Sequence, residues 1–143
     1  MVTSLIYMVS ICLEYCYEKA DMIYILGSCE ANMLSCHWFY YFGGNIVARH
    51  KLNAISSEYD VSLQRQKQCM SILMEDMEKL VALCKEHQRP MPTELRLIYN
   101  VKTRKFDSKY NYDLVWSNHP SKLSNHIADE WMQELAGKIT QGE

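Results

Sequence analysis

The chain lacks the usual signatures of catalysis. It contains no phosphate-cradling glycine loop, no dinucleotide fingerprint, no serine nucleophile elbow and no His-Glu-x-x-His segment. Each of those chemistries depends on particular residues at a fixed spacing, so the chain reads as a non-enzyme whose function lies in its surfaces. A charge excess of either sign is also missing. Fifteen Lys and Arg against 17 Asp and Glu leave a formal net charge of −2, and neutralising nucleic-acid phosphates requires a clustered basic surface. Direct nucleic-acid binding is therefore not expected.

Long apolar runs are absent too. Positions 1 to 13 carry no charge, but the stretch is too short to span a bilayer, and it lacks the basic start and small-residue cleavage site of a secretion signal. It reads as a mostly buried helix in a cytoplasmic protein with no membrane partner. The six cysteines, Cys12, Cys16, Cys29, Cys36, Cys69 and Cys84, show no paired short spacing. Most lie inside apolar-periodic segments, as buried thiols in a reducing compartment do. Cys29, Cys36 and His37 fit no common zinc spacing, so no metal or other cofactor is expected.

At 143 residues, the chain suits one domain with a single core, residues 1–143. Its strongest local signal is Trp38-Phe39-Tyr40-Tyr41-Phe42-Gly43-Gly44-Asn45-Ile46-Val47-Ala48-Arg49. Two glycines accept the positive φ of a tight primed turn between aromatic and β-branched strands. That turn opposes Phe42 to Asn45, Tyr41 to Ile46, Tyr40 to Val47, Phe39 to Ala48 and Trp38 to Arg49. Alternation then predicts a core face of His37, Phe39, Tyr41, Ile46, Ala48, His50 and Leu52, and an open face of Trp38, Tyr40, Phe42, Asn45, Val47, Arg49 and Lys51.

Around this hairpin, helical spacing predicts a first helix over about 4–19 and a strand over 22–29. A long helix follows over about 62–87, capped by Asp60 or Ser62 and free of Gly and Pro. Pro90 and Pro92 end it. A second hairpin alternates Leu95, Leu97, Tyr99 and Val101 inward, then Phe106 to Leu114 across the turn 102–105. A short amphipathic helix begins after Ser121 or Ser124 and ends at Gly137, with 138–143 frayed. The expected class is α+β: an antiparallel sheet of about five strands, a three-strand meander plus a hairpin, packed with a long central helix and N- and C-terminal helices.

Two groups of residues are candidates for function. His37 and His50 face each other in the hairpin register, and an imidazole pair on a core face is ordinarily structural; its alternative is a small enzyme or ligand-binding domain built on the two rings. On the other face, Trp38, Tyr40 and Arg49 are residue types enriched at interface centres, with a Trp38–Arg49 stack as the purely structural alternative. That strip continues through Arg96 and Ile98 to Asp107, Lys109, Asn111 and Asp113. Asp129 and Glu130 add acidic charge suited to steering a basic partner.

Ile23-Tyr24-Ile25-Leu26, Trp38 to Gly44, Pro92 to Val101, Lys105-Phe106 and Tyr110-Asn111-Tyr112-Asp113, in this element order, resemble the YezG-like antitoxin and immunity proteins of bacterial polymorphic toxin systems, those of contact-dependent inhibition and secreted toxins. The resemblance covers roughly residues 5–135 and implies one immunity-protein-like domain. It implies a cytoplasmic protein that binds a cognate toxin domain, often a nuclease, and blocks its active site or substrate path. It implies no cofactor and no turnover, and carries over no binding residue. The partner-binding candidates remain Trp38, Tyr40, Arg49, Arg96, Ile98, Asp107, Lys109, Asn111, Asp113, Asp129 and Glu130. The chain is expected to be a monomer or weak homodimer, with a homodimeric structural subunit as a further alternative.

Overall fold

Gly43 and Gly44 take φ of +49° and +95°, and the turn they form sets the register of the sheet around it. In this computed structural model, which describes residues 2–140, the chain runs α1 (Val2–Tyr15), β1 (Met22–Glu30), β2 (Met33–Phe42), β3 (Asn45–Ala48), α2 (Leu63–Glu86), β4 (Glu94–Asn100), β5 (Phe106–Asn111) and α3 (Ser124–Thr140). The five strands pair antiparallel in the order β3-β2-β1-β4-β5. This is the α+β class expected from the sequence. The four hairpin pairs from Phe42↔Asn45 to Phe39↔Ala48 are also as expected. The predicted fifth pair is not formed, because β3 stops at Ala48 and Arg49–Ala54 winds into a 3-10 helix.

α2 begins where its cap residue predicts, with the Ser62 hydroxyl accepting the Arg65 N–H at 3.2 Å. The second hairpin is shorter than its alternation suggests, since β5 ends at Asn111 instead of Leu114. α3 is longer, running through Gly137 to Thr140. Of the expected frayed tail, positions 141–143 lie outside the described residues.

Both α1 and α2 lie on one face of the sheet, which is also the face assigned to solvent in the sequence reading. Trp38 is 2% exposed, Tyr40 0% and Phe42 8%, packed with Ile23, Ile25 and Leu97 beneath the two helices. The Tyr40 hydroxyl donates to the Cys12 carbonyl at 2.6 Å, and Tyr15 stands edge-on to Trp38 with ring centroids 5.4 Å apart. Burying these rings gains more than burying the smaller set opposite, because apolar stabilisation scales with area removed from water. Leu52, expected on the other face, also joins this core. Gly27 permits the close approach of α2: a Cβ there would meet Met77 Sδ at 2.8 Å and Leu95 Cγ at 2.9 Å.

The opposite face carries the smaller core. α3 covers Phe39 and Tyr24 with Trp131, whose ring meets theirs edge-on at 5.2 and 5.6 Å. All six cysteines are unpaired, and five are buried. Among the described residues, no helix is long and apolar enough to cross a membrane.

Candidate functional site

α3 reaches only part of its sheet face. It packs mainly on β2 and β3; toward β4 it reaches Arg96 and the partly buried Ile98 through the Trp131 cluster, which leaves the β5 end of the same face open. There, side chains follow from register: Arg96 lies opposite Lys109, and Ile98 opposite Asp107. Asp107 and Lys109 are exposed and Ile98 is half-buried. Neither Asp107 nor Lys109 has an ion-pair partner among the described residues. Arg96 borders the strip, held by Glu94 at 3.3 Å and stacked over the Trp131 ring at 4.7 Å.

The eleven candidate partner residues thus separate. Arg96, Ile98, Asp107 and Lys109 stand together on the strip. Asn111 and Asp113 fasten its end, their carbonyls accepting the Thr93 hydroxyl at 3.0 and 2.6 Å. Asp129 and Glu130 are exposed on α3, where Glu130 pairs with Lys122. Trp38 and Tyr40 are interior residues of the opposite face and present nothing to a partner. Arg49 is half-buried, with its guanidinium carbon 4.2 Å above the Trp38 ring centre and its Nε donating to Gln66 at 3.3 Å. The structural stack anticipated for that pair is therefore present, although Arg49 reaches it from a 3-10 turn.

His37 and His50 do come to one place. They line a cleft of about 200 Å³ between the β2–β3 edge and α3, with Asn125 and Asp129 on its helical wall. His37 Nε2 is 3.0 Å from the Ser124 hydroxyl, which is 2.7 Å from the Ser35 hydroxyl. Burial, followed by the Arg49 charge, pushes the His37 imidazole down to about 4, against an opposing pull from Asp129. The ring is neutral at pH 7. It hydrogen-bonds the buried Ser124 hydroxyl, and the chain of contacts ties the start of α3 to β2. Among the described residues, no three His, Cys, Asp or Glu side chains are gathered as a metal site.

A second polar centre escaped the sequence reading. Glu30, 4% exposed at the end of β1, accepts the backbone N–H groups of Val115, Trp116 and Ser117 and the Ser117 hydroxyl. Trp116 Nε1 donates to Ser28 at 2.9 Å alongside. These bonds fasten the connection from β5 to α3 across the sheet, and so set how far α3 reaches over it. The only sequence cue is an acid closing an otherwise apolar strand.

No protein-family model and no curated protein matches this chain.

Proposed function

We propose that this chain is an immunity protein, a cytoplasmic antitoxin that binds a cognate bacterial toxin domain, a nuclease, and neutralises it by occluding the active site or substrate path. The observation carrying this reading is the partly open β4–β5 strip, a half-buried Ile98 flanked by the unpaired charges of Asp107 and Lys109. An apolar centre with a charged rim is the usual anatomy of a protein-binding surface. The sequence resemblance supplies the kind of partner, and the exposed acids Asp107, Asp113 and Asp129 supply charge for steering a basic nuclease. No turnover is required in this role. Co-expression with the product of the adjacent gene, followed by pull-down and toxicity rescue, tests the reading: a complex and restored growth support it.

A second reading, a small-ligand domain, is favoured by the cleft that gathers His37, His50 and Asp129. Imidazole resonances of His37 and His50 that stay unmoved across a panel of small-molecule ligands would count against this reading.

A further inference from the structure

The two edges of the sheet are built differently. β3 is four residues long and turns directly into a 3-10 helix, which blunts it as an edge. β5 has six residues, and no described strand pairs with its outer side. The direction of its free backbone groups follows from its bonds to the neighbouring strand. The carbonyls of Lys105 and Asn111 point inward, accepting the N–H groups of Asn100 at 2.9 Å and Thr93 at 2.8 Å. Alternation then turns the N–H and C=O of Phe106, Ser108 and Tyr110 outward.

We propose that β5 pairs antiparallel with β5 of a second copy of this chain, about a two-fold axis through Ser108, to give one continuous ten-stranded sheet. This register is self-complementary at each position. Ser108 faces Ser108 of the second copy, and Phe106 faces its Tyr110; these are the residues whose N–H and C=O point outward, so they form the hydrogen-bonded pairs. Asp107 faces Lys109 of the second copy in the closer, non-hydrogen-bonded pairs, and the symmetry makes that ion pair twice. The exposures agree: Phe106 and Tyr110 are each 39% exposed. Asp107 and Lys109 have no ion partner among the described residues of their own chain, where Lys109 stands opposite the like charge of Arg96. Moving the axis by one residue, to Asp107 or Lys109, shifts the register by two and sets that residue against its own like-charged symmetry mate, which removes the Asp107–Lys109 pairing. One short strand makes a small interface, so the association depends on concentration. The axis is perpendicular to the sheet, so the open strips of the two copies join on one side. The inference stands apart from the toxin reading, because self-association is measured on the purified chain alone.

The test is sedimentation velocity with light scattering across a roughly hundredfold range of concentration. The wild-type mass is expected to rise from 16.8 kDa toward twice that value. Asp107→Lys and Lys109→Asp, each placing like charges opposite one another, are expected to weaken the dimer roughly tenfold or more. The double exchange Asp107→Lys with Lys109→Asp restores opposite charges and is expected to recover the association. Ser108→Pro removes an outward N–H without touching the bonds to β4 and is expected to leave a monomer; thermal melts confirm that each variant is folded. A wild-type chain that stays monomeric throughout, a double exchange that does not recover, or a Ser108→Pro chain that still dimerises overturns the proposal.

Discussion

The carboxylate of Glu30 accepts both the backbone N–H and the hydroxyl of Ser117, a residue 87 positions further along the chain. Burial alone would raise this group, but the Ser117 hydroxyl and the N–H groups of Ser117, Val115 and Trp116 outweigh it and hold the carboxyl below its usual range. Its folded-state pKa is depressed, so its stabilisation is present above the unfolded-state value and is lost as pH falls through the folded one. Glu30→Gln is expected to cost about 1–3 kcal/mol at pH 7. Thermal melts at descending pH check this: the gap between wild type and variant closes once the wild-type carboxylate protonates.

Asp76 has the opposite sign. It is buried in α2 with one carboxylate oxygen lacking any partner, and burial raises its pKa, only partly offset by Lys79. A raised folded-state value gives stability that is complete below the unfolded pKa and fades as pH rises through the folded one. Asp76→Leu is expected to raise stability by about 1–2 kcal/mol at pH 7. A denaturant midpoint above that of wild type, with an unchanged slope, is the confirming result.

Trp38→Ala should act on folding and not on recognition. The ring is 2% exposed beneath α1 and supports Tyr15 and Arg49, so its removal is expected to cost about 3–5 kcal/mol. Chemical denaturation of the isolated chain measures this without any partner.

That reversal shows what alternation does and does not encode. The Gly43-Gly44 turn fixed four of the five expected pairs, because a two-residue loop admits one register. Alternation sorted the side chains of β2 and β3 correctly into two sets, with Leu52 of the 3-10 turn falling into the other one, but nothing local says which set receives the heavier cover. The polar Asn45, Arg49 and Lys51 made the aromatic set look wet. They sit on a short edge strand and the 3-10 turn after it, where polar groups reach solvent whichever face is buried. The grouping of Ile98 with Asp107 and Lys109 was legible from the alternation of the second hairpin, but its expected continuity with Trp38 and Tyr40 was not met: Tyr24 pairs with both Phe39 and Ile98, which puts the strip on the opposite face. Glu30 was not, because its donors come from a loop with no periodicity.

Gly27 tests the spacing between α2 and the sheet. A methyl group there meets Met77 Sδ at 2.8 Å and Leu95 Cγ at 2.9 Å, and Met77 is fully buried. Gly27→Ala is expected to destabilise the chain by about 1–3 kcal/mol through overpacking. A lowered melting temperature checks it, and a smaller cost of Gly27→Ala in a chain that already carries Met77→Ala ties the loss to that contact.

The partner surface is reached most directly by Ile98→Lys, which charges the centre of the partly open strip. The deciding measurement is the affinity of this variant for the proposed partner, the product of the adjacent gene, beside wild type and with melts showing both folded. The account predicts binding at least roughly tenfold weaker and toxicity rescue diminished with it. Wild-type affinity in the folded variant would contradict it and move the interface elsewhere.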